Sequence, residues 1–366
     1  MSQVFPAHWD VFPFSLAVKD ATSEYSKLQK SEYLEQGRFP IVDQGQQKFG
    51  GYTDDESVVS LDGCPAIVFG DHTRVFKFID EPFCLGADGA KVLEPKAELD
   101  KKFLFYYLSS LNIESAGYSR HFKFLKENVV PVPPLPEQKR IAAILDKAYA
   151  IRRKRQQAIQ LADDFLRAVF LDMFGDPVTN PKGWPKRTLK LLGKSATGRT
   201  PPSEKADMWG EGLPFVTPGD LSGRVDSSVR EVTQEGAEHS KVCRTGSLLV
   251  CCIGATIGKV GIAGCPVAFN QQINAQEWGA DILDVYGYFV FKLFPDLVRE
   301  RAIQTTLPIL KKSLFDEIEI PVPLIGLQEK FSAIAQKVSE SSLRHESGLN
   351  TPLFESLSQL AFSGQL

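Results

Sequence analysis

The sequence predicts an α+β chain with a pseudo-two-fold repeat: two α/β-type domains separated by two long helices that pair as an antiparallel coiled coil. Three observations carry this. A proline-rich segment occurs once in each half, a long stretch of helical periodicity follows each copy, and short β-like runs punctuated by Gly, Asp and Pro fill the rest. The boundaries implied are 1–134 for the first domain, 135–176 for the first helix, 177–323 for the second domain and 324–366 for the second helix.

The repeat is anchored by Pro131-Val132-Pro133-Pro134-Leu135-Pro136-Glu137-Gln138 against Pro321-Val322-Pro323-Leu324-Ile325-Gly326-Leu327-Gln328, an offset of 190 (321 minus 131). It continues without a gap, Ile141-Ala142-Ala143-Ile144 facing Phe331-Ser332-Ala333-Ile334. Upstream, Phe39-Pro40-Ile41-Val42-Asp43-Gln44-Gly45 resembles Leu213-Pro214-Phe215-Val216-Thr217-Pro218-Gly219 at an offset of 174 (213 minus 39). The changed offset means that insertions separate the two halves.

The mixed segments carry runs that read as strands: 66–69, 75–78, 247–250 and 259–262. Helical patterns follow at 101–111 and 285–297. After the first proline run, apolar residues fall at Ile141, Ile144, Leu145, Ala148, Ile151, Ala158, Ile159, Ala162, Phe165, Leu166, Val169, Phe170 and Met173. These steps of three and four are those of a heptad seam. Gly175 and Pro177 stop the helix. From Glu137 to Phe174 it runs about 38 residues, or about 57 Å, and so long a helix with one apolar stripe needs a partner. The second copy offers Leu327, Phe331, Ile334, Val338, Leu349, Leu353, Leu357 and Leu360. The expected crossing angle is about +20°. Ser341 and His345 interrupt this second seam, and Gly348 and Thr351-Pro352 interrupt the helix itself. Proline inside a helix costs ~3 kcal/mol, so a bend or broken turn is expected there. The alternative is that each amphipathic helix packs on its own domain.

Of 366 residues, 42 are Lys or Arg and 45 Asp or Glu, a net charge of −3, so nothing attracts nucleic acid or an acidic membrane globally. Contacts to nucleic acid must come from local basic patches. The cysteines (Cys64, Cys84, Cys243, Cys251, Cys252, Cys265) form no C-x-x-C pair and the histidines do not cluster, which excludes zinc-ribbon spacing and predicts no metal. Cys251 and Cys252 read as buried thiols. The start of the chain lacks a basic region followed by an apolar core. The longest apolar stretch, 248–258, falls well short of the ~20 residues that span a bilayer. A cytoplasmic protein without a membrane partner is expected.

Catalytic signatures are missing. Gly254-Ala255-Thr256-Ile257-Gly258-Lys259-Val260 is one residue short of a phosphate loop between its glycines, and Val260 replaces the Mg²⁺-binding Ser/Thr. There is no H-E-x-x-H, G-x-S-x-G or G-x-G-x-x-G motif, and neither Asn-Pro-Pro-Tyr nor Asp-Pro-Pro-Tyr. No catalytic residue is therefore assigned.

At this point the residues resemble a known family. The run 134–146, Pro-Leu-Pro-Glu-Gln-Lys-Arg-Ile-Ala-Ala-Ile-Leu-Asp, enters a long helix and returns in weaker form at 321–334. With Phe69-Gly70-Asp71-His72-Thr73, Gly117 to Lys123, Gly198-Arg199-Thr200-Pro201, Phe215 to Leu221 and Asn270-Gln271-Gln272, it resembles the DNA-specificity subunit of type I restriction–modification systems over nearly the whole chain. The resemblance implies two target-recognition domains, each reading half of a split site on double-stranded DNA. It implies conserved spacer helices that dock two methyltransferase subunits, through which restriction subunits join. It assigns S-adenosylmethionine, ATP and Mg to those partners and leaves this chain without cofactor or catalysis. The second spacer departs from the family pattern: Leu327 stands where the first copy has Glu137, and Pro352 interrupts the helix, which puts the symmetry of the docking surfaces in question.

Base edges are read by Arg, Lys, Asn, Gln, Asp and Glu, and phosphates by Lys, Arg, Ser and Thr. In the first domain the candidates are Gln44, Gln46, Gln47 and Lys48 in a glycine-rich loop; Asp71, His72, Thr73 and Arg74 between two strands; and Ser119, Arg120, His121 and Lys123. In the second they are Arg199 and Thr200; Thr217, Asp220, Ser222 and Arg224; Thr256 and Lys259; Asn270, Gln271 and Gln272; and Lys311 and Lys312. Polar hairpin loops and solvated turns have similar composition. Glu137, Gln138, Arg140, Arg152, Arg153 and Gln328 are candidates for partner docking, where a solvated helix face is the plainer alternative. Two other functions stay open: a stand-alone nuclease or methyltransferase, which predicts turnover by the single chain, and a coiled-coil adaptor without DNA contact.

Overall fold

The computed structural model describes residues 5–96, 98–114, 117, 120–303, 306–346 and 352–366. By contacts the chain divides into two compact units, Met1–Gln156 with Glu346–Leu366, and Gln157–His345.

In the first unit, the apolar run Ala66–Gly70 is buried throughout and forms the centre of an antiparallel sheet. The strand order is Val18–Asp20, Ala90–Pro95, Ala66–Gly70, Phe76–Ile79. A second sheet has the order Lys27–Leu28, Cys84–Gly86, Phe39–Val42, Gly51–Thr53. Within it Phe39–Val42 runs parallel to Cys84–Gly86, through Ile41↔Cys84 and Val42↔Leu85. Asp100 caps the helix Lys101–Ser110 by accepting from the N–H groups of Lys102 and Phe103. That helix buries Phe103 and Tyr107 against Phe362 of the helix Pro352–Phe362, with ring centroids 5.7 and 5.3 Å apart. Ile141, Leu145 and Ala361 join the same core. Tyr149 lies 6.3 Å from Phe354, and Arg140 donates to the Leu366 carbonyl. Numbers rising along one helix therefore meet numbers falling along the other, the antiparallel sense expected.

The second unit repeats the plan. One sheet has the order Gly193–Thr197, Ile273–Trp278, Leu248–Cys251, Val260–Ala263, Gly223–Val225. The other has Glu231–Val232, Trp209–Val216, Val267–Phe269, Val242–Cys243. Here Trp209–Val216 runs parallel to Val267–Phe269 through Phe215↔Ala268 and Val216↔Phe269, the register of the first unit transposed. An aromatic core joins Phe170 and Phe174 to Phe331 of the helix Ile325–Glu346, at 5.4 and 5.6 Å, with Tyr286 and Phe289 alongside.

The first long helix is continuous over Leu135–Phe174, 40 residues. It ends as expected: Gly175 adopts φ +77 and its N–H bonds to the Leu171 carbonyl. The seam is buried at its two ends, and the side chains of 341–353, which it sets against the middle of the helix, lie outside the described residues. Ile141, Leu145 and Ala148 are buried at one end, and Leu166 and Phe170 at the other. Between them Ile151, Ile159 and Phe165 are 44%, 45% and 52% exposed. Each end of the helix belongs to its own domain core, and heptad spacing does not distinguish a side chain in such a core from one in the middle of the helix. The break predicted around Gly348 and Thr351-Pro352 falls on 347–351, which, with the side chains of Ser341, His345, Leu349 and Leu353, lie outside the described residues; helix is described up to Glu346 and again over Pro352–Phe362.

The six cysteines are free, and burial pushes the Cys252 thiol up to about 12. Among the described residues, no helix is long and apolar enough to cross a membrane, and no group of three or more His, Cys, Asp or Glu is placed to hold a metal ion.

Candidate nucleic-acid interface

In the first domain the structure brings three predicted segments together. Asp43, at the end of strand Phe39–Val42, accepts from the Gly45 N–H at 2.8 Å and turns the chain into the glutamine-rich loop. Gln44 then locks onto the next segment: its Oε1 accepts from the His72 N–H at 3.3 Å and its carbonyl from the Thr73 hydroxyl. Glycines make this approach possible. A Cβ on Gly89, at φ +67, would lie 2.3 Å from Gln44 Oε1. Asp71 carries the contact onward. Its carbonyl accepts from the His121 N–H and meets His121 Nδ1, both at 2.9 Å, and its Oδ1 accepts from the Phe122 N–H at 2.7 Å. Arg74 adopts φ 62 and donates to the Ile113 carbonyl at 2.8 Å.

This arrangement sorts the candidates. Gln46, Gln47, His72, Arg74, Arg120 and Lys123 are exposed, with the Lys123 ammonium over the Phe124 ring. Asp71 and His121 are buried, which turns both from contact residues into a latch between loops. Lys48 is paired with Glu81 at 2.9 Å and Asp80 at 3.3 Å. Burial lowers its pKa, but the two carboxylates more than reverse this. Ser119 lies outside the described residues. Sequence reasoning missed Lys77, whose side chain is 4% exposed and whose Nζ donates to the Asp43 carbonyl at 2.8 Å.

The second domain assembles a comparable set. The Arg199 N–H bonds to the Phe269 carbonyl, and the Thr200 hydroxyl donates to Gln271 Oε1 at 2.6 Å. Asn270, mostly buried, folds its amide onto Gln272 and shapes the turn from inside. The Asn270 N–H bonds to the Val216 carbonyl, next to Thr217, whose N–H and hydroxyl both donate to Asp220 Oδ2. Lys259 Nζ donates to the carbonyls of Pro218 at 2.9 Å and Gly219 at 3.3 Å. Thr256, one turn earlier, is exposed with its hydroxyl 3.5 Å from Cys251 Sγ. Cys252 bonds to both Gln272 and Leu310, bringing the segment before Lys311 and Lys312 to the same end of the sheet. Lys312 is paired with Asp316, and Arg224 with Asp226. Arg199, Ser222, Gln271 and Lys311 are exposed, and among the described residues no ion pair involves Arg199 or Lys311.

Of the docking candidates, Arg153 is exposed and Arg152 lies over the rings of Tyr149 and Phe354. Glu137 accepts from Trp9 Nε1 at 3.3 Å, and Arg140 is held by the Leu366 carbonyl. Gln138 and Gln328 leave the docking set, because both are fully buried. Gln138 donates to the carbonyls of Pro133 and Glu98 and accepts from the Asp100 N–H. Gln328 does the same with Pro323, Asp281 and Leu283. Each amide ties the start of its long helix to its own domain.

The family model for the type I restriction modification DNA specificity domain matches residues 19–161 and 181–351, one copy in each half. Among curated proteins, the chain is 26% identical over 372 residues to the type I restriction enzyme EcoR124I/EcoR124II specificity subunit of Escherichia coli, covering 92% of this chain and 89% of that one. It is 28% identical over 162 residues to the MjaIX specificity subunit of Methanocaldococcus jannaschii, covering 42% of this chain and 37% of that protein. The crystal structure of the type I restriction-modification S subunit from M. genitalium shares the fold, with a TM-score of 0.65 at 18% identity, covering 97% of this chain and 96% of that one. A family domain present twice, on two sheet systems built to one plan, leads to one assignment: the chain belongs to the family of DNA-specificity subunits of type I restriction–modification systems.

Proposed function

We propose that the chain reads a two-part, non-palindromic target on double-stranded DNA, one half-site per domain. It docks two methyltransferase subunits, and restriction subunits through them, and performs no catalysis itself. S-adenosylmethionine, ATP and Mg belong to those partners, and the assembly works in the cytoplasm. The observation that carries this reading is the duplicated domain with unlike loops. Both units set polar segments at corresponding strand ends, yet one offers Gln46, Gln47, His72, Arg120 and Lys123 and the other Arg199, Ser222, Gln271 and Lys311. Two readers of one plan but different side chains suit two unrelated half-sites. The unbroken 40-residue helix suits a spacer of set length, since half-sites one turn apart lie ~34–36 Å from each other.

The test is genome-wide mapping of methylated adenines in cells carrying the intact gene and in cells where 1–134 has been replaced by the matching segment of another such subunit. One half-site is expected to change, with the other half-site and the gap retained. Methyl transfer by the purified chain alone, or a swap that alters both half-sites, contradicts the proposal.

A further inference from the structure

Each domain contains a hairpin with a lysine near the start of its second strand, and both lysines aim their ammonium groups at main-chain carbonyls of another loop. In the first domain Ala66–Gly70 pairs with Phe76–Ile79, and Lys77 Nζ donates to the Asp43 carbonyl at 2.8 Å. In the second, Leu248–Cys251 pairs with Val260–Ala263, and Lys259 Nζ donates to the carbonyls of Pro218 and Gly219. The receiving loops correspond, since they leave the strands that share the parallel register Val42↔Leu85 and Val216↔Phe269.

The chemistry around the two lysines differs. Lys77 is nearly enclosed and has Asp43 Oδ1 at 3.5 Å; burial lowers its pKa and the carboxylate opposes this. Lys259 is half-buried and, among the described residues, bonds to carbonyls alone. Their sequence offset is 182 (259 minus 77), against 174 for the loops they hold, so only the fold brings each pair together. An ammonium suits this position. It has three donors and no acceptor, and it forms charge-assisted bonds to carbonyls that no strand partner satisfies. Each loop so held carries candidate base readers: Gln46 and Gln47 in one, Ser222 and Arg224 in the other.

We propose that Lys77 and Lys259 are positioning residues for target reading: each staples the backbone of its domain's reading loop so that the loop's side chains meet base edges in one register, and neither ammonium touches DNA. This rests on the two-part reading proposed above.

The test uses the full chain in its methyltransferase assembly, with equilibrium binding measured across a salt series. The DNAs are the cognate target and targets with one half-site scrambled. Wild type is measured first: separable half-sites uphold the reading, and their absence overturns that reading itself. K259M is expected to lower discrimination at the second half-site about tenfold or more, as loss of a base-reading pair does. The first half-site should change by less than about twofold, and the salt slope should stay the same, because no phosphate contact is lost. K259R, which keeps charged donors, should restore part of the discrimination. K77M should affect the first half-site alone. If K77M shows no cooperative melt, the half-buried Lys259 carries the test. A salt slope reduced by about 1 in K259M marks a phosphate contact and overturns the proposal. Unchanged discrimination, with wild type normal, also overturns it.

Discussion

Replacing Gln138 by leucine tests how firmly the first domain is held to its helix. The side chain is fully buried, with Nε2 2.7 Å from the Pro133 carbonyl and 2.9 Å from that of Glu98, and Oε1 2.7 Å from the Asp100 nitrogen. Leucine fills similar space and satisfies none of the three. An unmatched buried polar group costs about 1–3 kcal/mol. The Pro133 contact is enclosed and bears the full penalty, whereas the Glu98 and Asp100 contacts are only partly buried and regain some solvation from water. The expected loss is therefore about 2–4 kcal/mol for the first unit. Asp100 also caps Lys101–Ser110, so the start of that helix should loosen with it. Urea titration followed by peptide-resolved hydrogen exchange separates the units. Q138L should weaken the first, and Q328L should weaken the second by a similar amount, since its three bonds run from 2.8 to 2.9 Å. A loss below about 1 kcal/mol in both variants would refute the argument that these amides anchor the helices.

Further outcomes follow from the interface. R199A should weaken binding on all DNA sequences and reduce the salt slope by about 1, while K48A should leave the slope unchanged because Asp80 and Glu81 already neutralise that lysine. D71A removes the acceptor for the Phe122 N–H, so exchange of amides 121–125 should accelerate by roughly tenfold, corresponding to about 1–2 kcal/mol of local stability. G89A forces a Cβ onto Gln44 Oε1 at a left-handed φ; a melting curve should show a loss of about 1–3 kcal/mol, and reading of the first half-site should fall with it.

The repeat, the termini of the first long helix and the strand positions were legible because they depend on local signals: prolines, a stop glycine and apolar spacing. Four predicted strands appear within a residue of their expected places, at Ala66–Gly70, Phe76–Ile79, Leu248–Cys251 and Val260–Ala263. What could not be read depends on distant partners. Lys48 has the composition of a phosphate contact until Asp80 and Glu81, more than thirty residues away, are seen beside it. Gln138 was singled out through the repeat, but a buried clasp and a surface glutamine in a first helical turn are the same letter. Asp71 and His121 sit in loops of polar composition, and only the folded chain shows them turned inward on each other. Ile151, Ile159 and Phe165 fit a heptad as well as Leu145 does, since periodicity reports a stripe and not what lies against it.

The way the first unit is closed bears on how the chain is synthesised. Phe103 and Tyr107 are covered by Phe362, a residue that leaves the ribosome some 250 residues later. The second unit draws only on the contiguous span Gln157–His345 and can complete itself while the first still waits for its last helix. Maturation thus runs against the usual amino-to-carboxyl order, and a nascent chain halted before Pro352 would display an unsealed aromatic face to chaperones and proteases.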